Sequence, residues 1–133
     1  MKPYVLLSDQ SSLDSWGTPE DIGATTLEGD VRVSGRFDIG TAETAIFGGL
    51  FSATRGKYRV VYPFHEHATV LSGHIELTDE VSGTTVVYGP GDSWIIAKGT
   101  AIIWTIRSET VSKSYIATTT DLPIDPSIAA KHA

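Results

Sequence analysis

The chain has 133 residues, of which 41% are apolar and 20% charged, a composition typical of one globular domain with its own core. Its formal net charge of −6 argues against a nucleic-acid partner, because such partners select basic surfaces. The absence of cysteine excludes disulfides, thiolate catalysis and cysteine-based zinc sites. No apolar run is long enough to cross a bilayer or to serve as a secretory signal, so we expect a cytoplasmic protein that does not bind membranes.

Short β-rich runs separated by turn residues dominate the chain, and helical periodicity is scarce. Many short strands at this spacing predict an antiparallel sandwich or barrel. Residues 79–83 and 89–92 contain the glycine, proline and aspartate typical of tight turns. In chain order, the predicted strands are Tyr4–Leu7, Asp30–Asp38, Glu43–Ala53, Lys57–Tyr62, Ala68–Leu77, Thr84–Tyr88, Ser93–Ile96, Ala101–Arg107 and Val111–Thr118.

The domain organisation is simple, because no repeat, linker or low-complexity tract interrupts the chain. We expect a single domain over residues 1–133, with an irregular amino-terminal segment at 1–29, a barrel at 30–119 and a tail at 120–133. The loop-like stretch around Trp16 is expected to lie across the barrel or against a second copy of the chain, to which it offers apolar surface.

Glycine and glutamate spacing identifies the type of barrel. Glu66 precedes Gly73 by the interval of one sequence motif, and Gly91, Ala97 and Gly99 occupy the places of Gly, Pro and Gly in a second. From Gly49 to Ile116 the chain therefore resembles the cupin superfamily. It is most similar to small single-domain cupins related to the cupin domain of (S)-ureidoglycine aminohydrolase and to the ethanolamine-utilisation cupins. The resemblance implies an all-β double-stranded β-helix, a jelly-roll barrel, and pairing into homodimers.

The metal-binding histidines of these motifs are missing. Val60 and Tyr62 stand where the resemblance places the histidine pair, and Ile102 stands where it places the last histidine. Lys113 and Tyr115 match a Lys-x-Tyr that the subgroup favours near the end of the barrel. The resemblance therefore supports the fold and not the metal chemistry of the relatives.

Alternation along the strands predicts which side chains share the barrel interior. Glu66 and Tyr62 are the candidate catalytic residues, because a carboxylate that loses solvation in an apolar cavity suits general acid or base work. In the competing interpretation Glu66 faces solvent or pairs with Lys98 or Arg59. Lys113 is expected to pair with an anionic substrate or with Glu66, or to lie at the surface. The candidate substrate-binding residues are Phe51, Val60, Ile102, Trp104, Lys113 and Tyr115.

His65 and His67 flank Glu66, and these three residues are the alternative ligands for one divalent transition metal. On a regular strand the two histidines share a face that opposes Glu66, so a common metal site would need a bulge. We therefore expect no metal and no other cofactor.

Three functions remain open from the sequence. The first is a metal-independent enzyme of the isomerase, cyclase, lyase or hydrolase type that uses Glu66 in an aromatic cavity to bind and convert a small molecule. The second is a non-catalytic ligand-binding or accessory module. The third is a metal-dependent hydrolase resembling ureidoglycine aminohydrolase.

Overall fold

The computed structural model describes residues 1–8 and 12–130. Almost every regular element in this part of the chain is a strand, and Pro19–Ile22 forms a single 3₁₀ turn. The strands are β1 (Asp14–Gly17), β2 (Thr25–Glu28), β3 (Val33–Ile39), β4 (Ile46–Val61), β5 (His65–Ser72), β6 (Ile75–Asp79), β7 (Thr85–Tyr88), β8 (Ser93–Ile96) and β9 (Ala101–Thr118). The all-β class expected from the sequence is confirmed.

Two long antiparallel strands, β4 and β9, organise the molecule. They pair along their whole length, from Ile46 with Thr118 to Val61 with Ala101. One end of this two-stranded ribbon belongs to one layer of the molecule and the other end belongs to the second layer. The first half of β4 continues to β3 and β1, and the second half of β9 continues to β5 and β8. The other halves join β2, β6 and β7. The two layers face each other and form a jelly-roll barrel around one core.

Both long strands were predicted as two shorter ones. Gly56, with φ +146°, lies where the β4–β9 register shifts after Thr54. A bulge at this glycine bends β4 from one layer into the other without ending it. The prediction of separate strands was wrong because glycine and arginine at this point mark a bend rather than a loop.

The ends of the chain also differ from expectation. The segment 1–29 is not irregular throughout, since β1 and β2 pair with β3 and β4. Tyr4–Leu7 is not a strand; the Leu7 amide donates to the Leu71 carbonyl and the Tyr4 hydroxyl donates to the Asp38 carboxylate. After β9 the described tail contains no strand and makes a turn near Asp125, whose carbonyl accepts hydrogen bonds from two later amides.

The predicted turns are confirmed. Gly83 and Gly91 have φ +74° and +92° in the turns that follow β6 and precede β8. Gly73, with φ +78°, separates β5 from β6, so the predicted strand Ala68–Leu77 is a hairpin. A Cβ at Gly73 would collide with the Thr110 carbonyl oxygen, which explains why only glycine fits this corner.

Candidate functional site: a ring-lined cavity with a buried ion pair

A cavity of about 670 Å³ opens between the two layers on the side of β1, β3 and β4. Most of its wall is apolar. Strand alternation explains this, because every second residue of each strand points between the layers. The ring-bearing wall residues are Trp16, Phe37, Phe47, Phe51, Tyr58, Tyr62, Phe64, Trp104 and Tyr115.

Besides Asp21, two charged side chains line the same cavity, and these two pair with each other. Glu66 of β5 is 2% exposed and Lys113 of β9 is 6% exposed. The Lys113 Nζ donates to Glu66 Oε1 at 2.6 Å, and the Trp94 indole N–H donates to Glu66 Oε2 at 3.0 Å. Both carboxylate oxygens therefore have a donor. A buried pair with short, well-directed hydrogen bonds offsets part of the desolvation cost of its two charges.

Aromatic rings surround the Lys113 ammonium. Its Nζ lies 4.6 Å from the ring centroid of Trp104, 5.0 Å from that of Phe51 and 5.5 Å from those of Trp94 and Tyr115. Ring faces at these distances attract a cation. The ammonium is thus held by one carboxylate and a cage of rings.

Burial changes the acidity of the groups around this pair. Desolvation lowers the pKa of Lys113, and the charge of Glu66 opposes that change. The pKa of Tyr62 and that of Tyr58 are raised well above the usual value, first by burial and then by the charge of Glu66. Burial and Glu66 also raise the pKa of Tyr115. At neutral pH the tyrosine hydroxyls keep their protons and can act as donors.

The structure brings together most of the residues singled out from the sequence. The residues that line the cavity are Phe51, Val60, Tyr62, Glu66, Trp104, Lys113 and Tyr115. Of the alternatives for Lys113, it pairs with Glu66 and does not lie at the surface. The competing partners of Glu66 are engaged elsewhere, Lys98 with Asp121 and Arg59 with Glu80.

Ile102 is the exception and its prediction is corrected. It belongs to the core and borders a second, smaller groove between β7 and β8. Ile102 and Trp104 do share a face of β9, but residues two apart lie nearly 7 Å apart along a strand. Ile102 is not among the residues that line the cavity.

The histidines do not join Glu66. On β5, Glu66 points inward whereas His67 is exposed on the opposite face. His65 lies on that outer face and its Nδ1 accepts a hydrogen bond from the Lys98 amide at 2.9 Å. Within residues 1–8 and 12–130, no group of three histidine, aspartate or glutamate side chains is placed to hold a metal ion. The proposed set of His65, Glu66 and His67 is therefore not assembled.

Sequence reasoning missed several parts of the wall. Tyr58 stacks on Trp104 at 5.1 Å, and the alternation through Val60 and Tyr62 would have found it. Of the two alternatives for the loop around Trp16, the structure has the one across the barrel, because Trp16 stacks on Phe37 at 5.2 Å and lines the cavity. The hydrogen bond from Trp94 to Glu66 was also not predicted. This contact joins β8 to β5 and has no local signal in the sequence.

The model of the EutQ-like cupin domain family matches residues 40–115. Among solved structures, a putative ethanolamine utilization protein Q from Salmonella typhimurium LT2 is 20% identical with a TM-score of 0.55, over 70% of this chain and 72% of that chain. EutQ of Clostridium difficile is 16% identical with a TM-score of 0.57, over 66% and 68% of the two chains.

A wider overlay is obtained with the polyketide cyclase RemF from Streptomyces resistomycificus, which is 16% identical with a TM-score of 0.59 over 92% of this chain and 83% of that chain. These likenesses support the fold. The search of curated proteins gave no match. In the described part of the chain, no helix has the length and apolar character needed to cross a membrane.

Proposed function

Starting from the membership of this chain in the family of EutQ-like cupin domains, we propose that the barrel cavity binds a small apolar molecule that carries rings. We further propose that the protein is an enzyme in which the Glu66–Lys113 pair exchanges protons with that molecule. The resemblance to ethanolamine-utilisation cupins inferred from the sequence is confirmed, whereas the resemblance to ureidoglycine aminohydrolase stays a prediction.

One observation carries the proposal: a buried ion pair lies in the wall of a mostly apolar cavity. The volume of about 670 Å³ falls within the range of small-molecule sites, which combine mostly apolar walls with a few polar groups. Two buried charges are a costly way to fill a core, because apolar residues of similar size serve stability as well or better. Charges kept at a cavity in spite of this cost are therefore candidates for function.

Three polar side chains of the wall, Glu66, Lys113 and Tyr62, are proposed to act as acid and base. Glu66 is the proton acceptor. Lys113 is a donor, and because burial lowers its pKa, its ammonium releases a proton more readily than that of an exposed lysine. Tyr62 is a second donor, since its raised pKa keeps the hydroxyl protonated. Isomerisation, cyclisation, elimination and hydrolysis all need such a donor and acceptor beside the reacting atoms.

A non-catalytic binding module is the second candidate, and a separate observation favours it. Both oxygens of Glu66 already accept a hydrogen bond without any ligand, from Trp94 and from Lys113. In this alternative the pair only fixes the shape of the cavity, and the rings select the ligand.

Cavity binding is tested with two variants of neighbouring residues. Val60 lines the cavity, while Val61 lies on the opposite face of β4 with 47% of its surface exposed. Val60→Trp should block the cavity and abolish binding of 2-naphthalenemethanol in a calorimetric titration, whereas Val61→Trp should bind as the parent does. Equal binding by both variants would move the ligand site elsewhere.

Catalysis is tested separately, on any compound that the protein converts. Tyr62→Phe should lower turnover by roughly two orders of magnitude or more and leave binding nearly unchanged. A ligand that binds to the cavity and is not converted supports the binding module instead.

Three further expectations from the sequence stay predictions. They are a homodimer, a cytoplasmic location and the lack of a nucleic-acid partner. Light scattering coupled to gel filtration would check the first.

A further inference from the structure

We propose that Lys113 captures carbonyl compounds: its amine condenses with an apolar aldehyde or ketone in the barrel cavity and forms a Schiff base. This inference rests on the proposed function, because the carbonyl compound has to enter the cavity. It adds a substrate class and a covalent step.

The hydrogen bonds of Lys113 are the first argument. A lysine ammonium has three N–H donors, and in the described residues its only hydrogen bond goes to Glu66 Oε1. Its other N–H groups point toward ring faces and apolar wall. A protonated Schiff base has one N–H, which Glu66 alone can accept. The surroundings of Nζ therefore match the hydrogen-bonding needs of the iminium better than those of the ammonium.

The charge distribution gives the second argument. The iminium is a cation like the ammonium, so the carboxylate of Glu66 and the four rings around Nζ stabilise it as well. It also replaces polar N–H groups by the carbon skeleton of the ligand, which packs favourably against the rings. A lysine desolvated in an apolar pocket is a known form of activated amine, and burial lowers the pKa of Lys113 in this way.

The proton transfers can all pass through Glu66. The Lys113 ammonium gives a proton to the Glu66 carboxylate at 2.6 Å, and the freed lone pair forms a bond to the carbonyl carbon. The carbonyl π electrons move to oxygen, which takes a proton from the nitrogen and becomes a hydroxyl. Glu66 then returns its proton to this hydroxyl, water leaves, and the nitrogen lone pair forms the C=N bond. The products are water and a protonated Schiff base beside the Glu66 carboxylate.

The test compares two probes of the same ring system. The protein is incubated with 2-naphthaldehyde and sodium cyanoborohydride, which reduces an iminium to a stable amine, and the labelled lysines are located by peptide mass spectrometry. A reduced adduct adds the mass of the aldehyde less one oxygen atom. The alcohol 2-naphthalenemethanol cannot form an iminium, so it reports entry into the cavity and competes with the aldehyde.

We expect Lys113 to be labelled at low aldehyde concentration and to be protected by the alcohol, while lysines outside the cavity such as Lys57, whose side chain is 34% exposed, react slowly and are not protected. The double variant Lys113→Met with Glu66→Gln removes the amine without leaving a lone buried charge, and should bind the alcohol without rapid labelling. Lys57→Met is the matched control and should label at Lys113 like the parent.

If the alcohol binds in the cavity and Lys113 is not labelled, the Schiff base is refuted and the proposed ligand site survives. If neither probe binds, the proposed function fails, and this inference fails with it.

Discussion

The buried Glu66–Lys113 pair allows us to predict how its removal changes the free energy of unfolding. The two side chains are 2% and 6% exposed, and Nζ lies 2.6 Å from Oε1. At an effective dielectric constant of about 20, unit charges this close attract by about 6 kcal/mol. Desolvation of each ion costs several kcal/mol, so attraction and cost nearly cancel. Removing one partner keeps the desolvation cost of the other and loses the attraction.

We therefore expect Glu66→Gln and Lys113→Met each to lower the free energy of unfolding by about 3–5 kcal/mol. The double variant should lie within about 2 kcal/mol of the parent, because neither charge then remains buried. The loss in Glu66→Gln should shrink as the pH rises toward 10. The reason is that burial lowers the pKa of Lys113, so the folded state sheds this proton before the unfolded state does.

Urea unfolding followed by the fluorescence of the three tryptophans measures all four proteins and yields the coupling energy of the pair. If the double variant loses the sum of the two single losses, the side chains are not coupled and the ion pair described above is wrong.

Three further predictions concern other parts of the barrel. Gly83→Ala should lower the free energy of unfolding only by the roughly 1–2 kcal/mol of a left-handed backbone, since an added Cβ meets nothing there. Gly73→Ala should lower it clearly more, because its added Cβ also collides with Thr110. Thermal unfolding of the two variants measures the difference. Trp16→Ala should weaken binding of 2-naphthalenemethanol by up to about tenfold and leave the oligomeric state unchanged in light scattering. Burial tends to raise the pKa of Asp38, but hydrogen bonds from neighbouring side chains outweigh burial and lower this pKa to about 2. The ionised Asp38 should therefore stabilise the fold fully above pH 4, and this stabilisation should be lost as the pH falls toward 2. Asp38→Asn should remove this part of the acid dependence of the free energy of unfolding in equilibrium unfolding.

Local signals predicted much of the fold. β8 was predicted with its observed bounds, and the turns at Gly83 and Gly91 were located because proline, aspartate and glycine specify their backbone angles. The same reasoning divided β4 at Gly56 and β9 after Arg107. Glycine marks a loop and a bulge alike in a sequence, and only pairing with a neighbouring strand distinguishes them.

The candidate site was predicted less completely. Alternation placed Tyr62, Glu66 and Trp104 in the interior, because period two is a local property of each strand. It gave no distance between strands, so it could not separate Ile102 from the cavity. The contact between Glu66 and Lys113 joins positions 47 residues apart and depends on the pairing of β5 with β9. The sequence offered that contact only as one of several alternatives.

We expect the ligand to bind in the ring-lined cavity and not in the groove between β7 and β8. We would follow a nuclear magnetic resonance titration with 2-naphthalenemethanol, because the rings of Trp16 and Trp104 line the cavity and their indole N–H signals respond to a ligand packed against them. We predict saturable shifts of these two indole signals and of the Val60 amide, with little change at Val86 and Ile95 in the groove. Shifts confined to the groove, or none at saturating ligand, would contradict the account.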